Sequence, residues 1–115
     1  MKKRSETDIV KEIKDYLTVL GIFHFRVNTT GIFDPTRRVF RTFAGGTLGV
    51  SDILGIYGGR FLAIECKMPG KYPSKDQKAF LAQVKASGGI AFVARGIDDV
   101  ERELAMTIEP LQRSE

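Results

Sequence analysis

Apolar and polar positions along the chain follow two periods, and the elements change where the period changes. In residues 6–20, ETDIVKEIKDYLTVL, the side chains of Ile9, Val10, Ile13, Tyr16, Leu17 and Leu20 fall within one stripe. At about 100° per residue that stripe predicts a helix with one buried face. Ser5 supplies an N-cap, and Gly21 stops the helix at its C-terminus. FHFRVN (23–28) alternates and predicts a strand, TTGIFDPTR (29–37) is rich in turn formers, and RVFRTF (38–43) predicts a short extended piece. The glycine-rich AGGTLG (44–49) leads into two strands, about 52–57 and 60–67, joined by Gly58-Gly59. A two-residue Gly-Gly link predicts a hairpin, because both positions accept positive φ. MPGKYP (68–73) is loop, a second helix spans about 75–87, GIAFVAR (89–95) predicts a strand, and DDVERELAMTI (98–108) predicts a last helix. This order predicts one α/β domain over residues 1–115, with helices against a mixed sheet. The second helix is long enough to carry a crossover to the last strand.

The Gly-Gly turn has a chemical consequence. Its register sets Tyr57 opposite Arg60, Ile56 opposite Phe61, Leu54 opposite Ala63 and Asp52 opposite Glu65. Directly opposed Cβ atoms lie about 4.5–5.5 Å apart, and like charges there are unfavourable. Alternation adds Lys67 to the Glu65 face. Two carboxylates at that spacing need a shared proton or a cation. A hard cation such as Mg²⁺ or Mn²⁺, held by one or two carboxylates plus phosphate, meets that need, and the carbonyl of Cys66 offers a further oxygen. A solvated sheet end, with Lys67 neutralising Glu65, satisfies the same pattern without any catalysis.

The helices extend the cluster. Glu6 falls inside the arc of Ile9, Ile13, Leu17 and Leu20, whereas Glu12 falls outside it. Glu6 is therefore expected on the sheet-facing side, as a third carboxylate or simply as a first-turn acid favoured by the helix dipole. Ser74 and Gln77 fit a capping box, and Gln77 also starts the stripe of Phe80, Leu81 and Val84. It is placed to cap, to meet phosphate or water, or both. Lys75, Lys78 and Lys85 read as solvated groups. AGGTLG lacks the Gly-Lys-Ser/Thr ending of a phosphate-binding P-loop; its glycines permit close approach of backbone to phosphate or a tight turn before Asp52.

Composition narrows the remaining classes. The 115 residues include 43% hydrophobic and 28% charged positions, an ordinary globular mix with no apolar run long enough to span a bilayer. The basic start MKKR runs into SETD, which does not read as a signal peptide. One cysteine and one histidine exclude an internal disulfide and a Cys/His zinc cluster, and point to the cytoplasm. Alternation turns Cys66 into the core, and His24 has no ligand partner. The net charge of +4 mildly favours a polyanion. Arg26, Asn28, Arg37, Arg38 and Arg41 are candidate contacts to a nucleic-acid backbone.

The ordered set Glu6, GVSD (49–52), GRFLAIECK (59–67) and SKDQKAF (74–80) resembles the VRR-NUC family, the virus-type replication-repair nuclease domain of the PD-(D/E)xK superfamily. The resemblance runs from the first helix through GGIAFVARGIDDV (88–100). The family's Pro-Asp is Ser51-Asp52 here, its Glu-x-Lys is Glu65-Cys66-Lys67, its following glutamine matches Gln77, and its N-terminal glutamate matches Glu6. The resemblance implies a restriction-endonuclease-like core and Mg²⁺- or Mn²⁺-dependent hydrolysis of DNA phosphodiesters. Asp52 and Glu65 would be metal ligands, assisted by Glu6 and the Cys66 carbonyl; Lys67 and Gln77 would orient water or substrate. It further implies a homodimer acting on branched DNA such as four-way junctions, in a bacterial or phage-infected cytoplasm. The alternative is a DNA-binding or nuclease-accessory module that does not cleave.

Overall fold

The computed structural model describes residues 3–27, 32–34, 36, 39–41 and 47–112. In chain order these form α1 (Glu6–Val19), β1 (His24–Arg26), β2 (Ile32–Asp34), β3 (Val39–Arg41), β4 (Ile53–Tyr57), β5 (Arg60–Cys66), α2 (Lys75–Ala86), β6 (Ile90–Ala94) and α3 (Ile97–Gln112). The main sheet has the order β1-β4-β5-β6, and β2 pairs with β3 in a separate antiparallel ladder. Neighbours β1–β4 and β4–β5 are antiparallel, whereas β5–β6 is parallel. The fold is thus a small α/β domain with a mixed four-stranded sheet and three helices.

Local chemistry accounts for the helix boundaries. Ser5 caps α1 in a capping box closed by Asp8, and Ser74 caps α2 in one closed by Gln77. Gly21 takes a φ of 73° just beyond α1, a conformation that costs glycine little. Ile9, Val10, Ile13 and Leu17 are buried as the stripe requires, but Leu20 is the C-cap and is exposed. The helix ends before Leu20 can turn inward.

The sheet divides the interior into two layers. On one side, Ile53, Leu62, Ile64, Cys66, Ile90, Phe92 and Ala94 pack with α1 and α3. On the other, Ala63 and Ala91, with Leu54 and Val93 beside them, pack under Leu81, Val84 and Phe80 of α2. Central strand β5 is therefore covered on both faces, and Leu62 through Cys66 are all buried. Glu65 belongs to that run.

The turn-rich reading of 29–37 needs correction, because Ile32–Asp34 is a strand paired with Val39–Arg41. A partner for β-forming Ile32 and Phe33 outweighed the neighbouring turn residues. Asn28, Arg37 and Arg38 lie outside the described residues, and Arg41 falls in β3.

Candidate active site

The hairpin closes with Gly58 and Gly59 at φ of 59° and 78°, as a two-residue turn with both central residues left-handed requires. Its ladder pairs Tyr57 with Arg60, Ile56 with Phe61, Leu54 with Ala63 and Ile53 with Ile64. Asp52 stands just beyond the last pair, on the line that leads to Glu65. There it ties two strands together. Its carbonyl accepts the Val27 N–H at 2.8 Å, and its Oδ2 accepts the Cys66 N–H at 2.9 Å.

The side chains gathered at this sheet end have unusual surroundings. Asp52 is 7% exposed and Glu65 only 1%. Glu65 Oε1 is buried without a hydrogen-bond partner, and Oε2 lies 3.7 Å from Lys67 Nζ. Burial, then the neighbouring Asp52 charge, pushes the Glu65 carboxyl up to about 8; Lys67 opposes the shift, while hydrogen bonding to Asp52 and the charge of Glu6 add to it. At neutral pH Glu65 therefore holds a proton that an ordinary glutamate would have lost.

Glu6 reaches this region from the other side. Its helix, α1, packs on the sheet face that carries Ile64 and Cys66, whereas strand alternation turns Glu65 to the α2 face. Glu6 raises the pKa of both Glu65 and Cys66 through space. Among the described residues, no three His, Cys, Asp or Glu groups form a cluster able to hold a metal ion. The side chains brought together are thus an acidic pair and a lysine, and the charge of Glu6 is felt at both Glu65 and Cys66.

No protein-family model matches the chain, and neither does any curated protein. The VRR-NUC resemblance therefore rests on its motif residues alone.

The remaining candidates divide between scaffold and site. The Cys66 side chain is fully buried in the α1 layer, and burial pushes its thiol far up, which leaves it inert as a nucleophile. Its backbone N–H nonetheless holds Asp52. Gln77 Oε1 accepts the Ser74 N–H at 2.8 Å, so its carbonyl end serves the helix cap. His24 Nδ1 donates to the Ile22 carbonyl at 2.8 Å, a packing role. Gly49, with φ of 72°, presses its backbone onto the first turn of α2, where a Cβ would overlap the Asp76 carbonyl. This glycine serves helix–loop packing, and it sets Asp52 near the start of α2.

Sequence reasoning missed two features. Ser51 is fully buried with its hydroxyl unpartnered, although its place before the acid marked it as a departure from the family pattern. It also missed an apolar groove on the α2 side of the sheet, with Phe25, Leu54, Phe61 and Phe80 in its walls. The available signal was their spacing: Phe25 and Leu54 are β1–β4 partners, and Phe61 lies two residues before Ala63, the partner of Leu54.

Proposed function

We propose that this protein is a Mg²⁺- or Mn²⁺-dependent deoxyribonuclease of the VRR-NUC type, with a restriction-endonuclease-like PD-(D/E)xK core. The observation that carries the reading is the buried Asp52–Glu65 pair, with one carboxylate oxygen unpartnered and Lys67 beside it. A structural ion pair would satisfy its own oxygens; this one leaves Glu65 Oε1 without a partner at the cost of burial. The donor set fits a hard divalent cation, which accepts two carboxylates and fills its other positions with water, phosphate or a carbonyl such as that of Cys66. When bound, the cation would polarise the scissile phosphate and offset the charge that develops there.

The chain's own residues supply the rest. Asp52 and Glu65 would hold the cation and through it set where the phosphate sits, and Asp52 is itself fixed by the Cys66 N–H. Lys67 orients the attacking water and neutralises charge on the non-bridging oxygens. That water forms a new bond to phosphorus as one bridging P–O bond breaks; its proton leaves to solvent, and the departing oxygen takes one back. Glu6 tunes the pair electrostatically, and the amide nitrogen of Gln77 would assist water or phosphate while its carbonyl end caps α2. The preferred substrate is branched DNA, and the active form is a homodimer, as the family resemblance implies.

The rival reading is a DNA-binding or nuclease-accessory module, favoured by the structural use of Asp52 Oδ2 in holding β5. One panel separates the two. Duplex, flap and four-way-junction DNA are incubated with the protein and either Mg²⁺ or Mn²⁺. The nuclease reading expects metal-dependent cleavage that falls at least about 100-fold in Glu65→Gln and Lys67→Met, both still folded. Folded protein that binds DNA regardless of metal and cuts no substrate overturns it.

A further inference from the structure

The groove beside the acidic pair has a lining that neither metal nor phosphate needs. Phe25, Val27, Val50, Leu54, Phe61 and Phe80 surround a cavity of about 380 Å³. Thr47 contributes the one polar side chain among the described residues that line it. Phe25 and Phe61 are 47% and 46% exposed, so aromatic surface faces solvent where the sheet emerges from under α2. Such a lining rejects charged groups and accepts a flat apolar face.

Its position relative to the acids is fixed by the strands. Leu54 lies two residues beyond Asp52 on the same sheet face, about 7 Å along the strand. Val27, on the other wall, donates its N–H to the Asp52 carbonyl. The groove and the acidic pair are thus neighbouring parts of one sheet face: the Phe25–Leu54 end lies about 7 Å from Asp52 along the strand, and Phe61, four residues from Glu65, closes the far end at about 14 Å. Arg26, exposed between Phe25 and Val27, alternates to the other face of β1, toward the α1 side, where its charge is felt by Cys66.

We infer that this groove receives an unpaired nucleobase next to the scissile phosphate, stacked against Phe25 and Phe61. The inference rests on the nuclease reading and names its substrate class: DNA with at least one unpaired nucleotide at the cut, as in a single strand, a flap or an open junction. Bases within an intact duplex are stacked on one another and present no free face to a protein aromatic. A free base does, and stacking on phenylalanine tolerates any base identity. That matches a groove with almost no hydrogen-bonding groups.

The test uses wild-type protein without divalent metal, so that binding is read apart from cleavage. Oligonucleotides carry 2-aminopurine at a single-stranded position or at the same position within a duplex. The wild type should quench the unpaired fluorophore and leave the paired one unchanged. Phe61→Ala and Phe25→Ala should each weaken single-strand binding about 10-fold and abolish the quenching. Phe61→Leu, which keeps apolar volume but not the ring, should also abolish it, and Val19→Ala, at a remote exposed site, should change nothing. Equal loss on duplex and single strand, or no loss, overturns the proposal. So does conversion of a dimer to a monomer by these substitutions in sedimentation, which would make the face an interface between copies. Protein that cuts DNA while all the phenylalanine variants bind normally keeps the nuclease reading and loses the groove. Protein that quenches without cutting keeps the groove and loses the nuclease.

Discussion

At the scale of single residues, the proton on Glu65 makes the site measurable without any substrate. Its folded pKa of about 8 stands above an ordinary value of 4.5. Between those values the native state holds a proton that the unfolded chain has released, so stability falls as pH rises through this window. The slope is at most about 1.4 kcal/mol per pH unit. Asp99 acts in a different window: the Arg95 backbone N–H, together with Arg102, holds its carboxyl below the usual range. Its contribution is present at neutral pH and is lost only in acid. Metal-free protein is therefore expected to lose melting temperature steadily from about pH 5 to 8 in calorimetry. Glu65→Gln should flatten that fall, and Mg²⁺ should raise the melting temperature more at pH 8 than at pH 6, because it must displace the proton at the lower pH. A flat wild-type profile would show that Glu65 ionises like a surface glutamate.

At the scale of elements, the hairpin was readable because its information is local. Gly58-Gly59 sets the turn, the turn sets the register, and the register places Asp52 beside Glu65. Both Ser caps were readable for the same reason. What could not be read depends on layers. A helical wheel shows that α1 turns a stripe toward the sheet, but not toward which face, so it could not show that Glu6 begins a helix packed on the face opposite Glu65. Likewise, alternating phenylalanines do not reveal that α2 leaves part of the sheet uncovered. The β2–β3 ladder was hidden among turn formers until a pairing partner was known. Gly49 belongs to this scale as well, since its φ of 72° and its contact with the Asp76 carbonyl both exclude a side chain. Gly49→Ala is expected to cost about 2–3 kcal/mol, through left-handed strain and displacement of α2. Gly59→Ala, with φ of 78° but open space around it, should cost only about 1–2 kcal/mol. Denaturant titration of the two variants compares the effects directly, and equal losses would remove the packing role assigned to Gly49.

At the scale of the whole molecule, the proposed function would combine two kinds of attraction to DNA, and salt separates them. On the proposed nuclease function, the net charge of +4 would draw the chain to a phosphate backbone, an attraction that weakens linearly in log affinity against log salt. Stacking of a base in the proposed Phe25–Phe61 groove would release no counterions, so it should persist as salt rises. Arg26→Gln should reduce the salt slope by about one, affecting single-stranded and duplex DNA alike. Phe61→Ala should leave the slope unchanged and lower single-strand affinity by the same factor at every salt concentration. Fluorescence anisotropy from low to high salt, without divalent metal, measures both quantities. If Phe61→Ala instead changes the slope, the ring acts by positioning charged groups. If Arg26→Gln changes affinity without changing the slope, its guanidinium does not meet a phosphate. The expected pair of results would divide the surface into a part that attracts any DNA and a part that retains only DNA with an unpaired base. Selectivity for open structures would then follow from a domain of this size without any contact that reads base sequence.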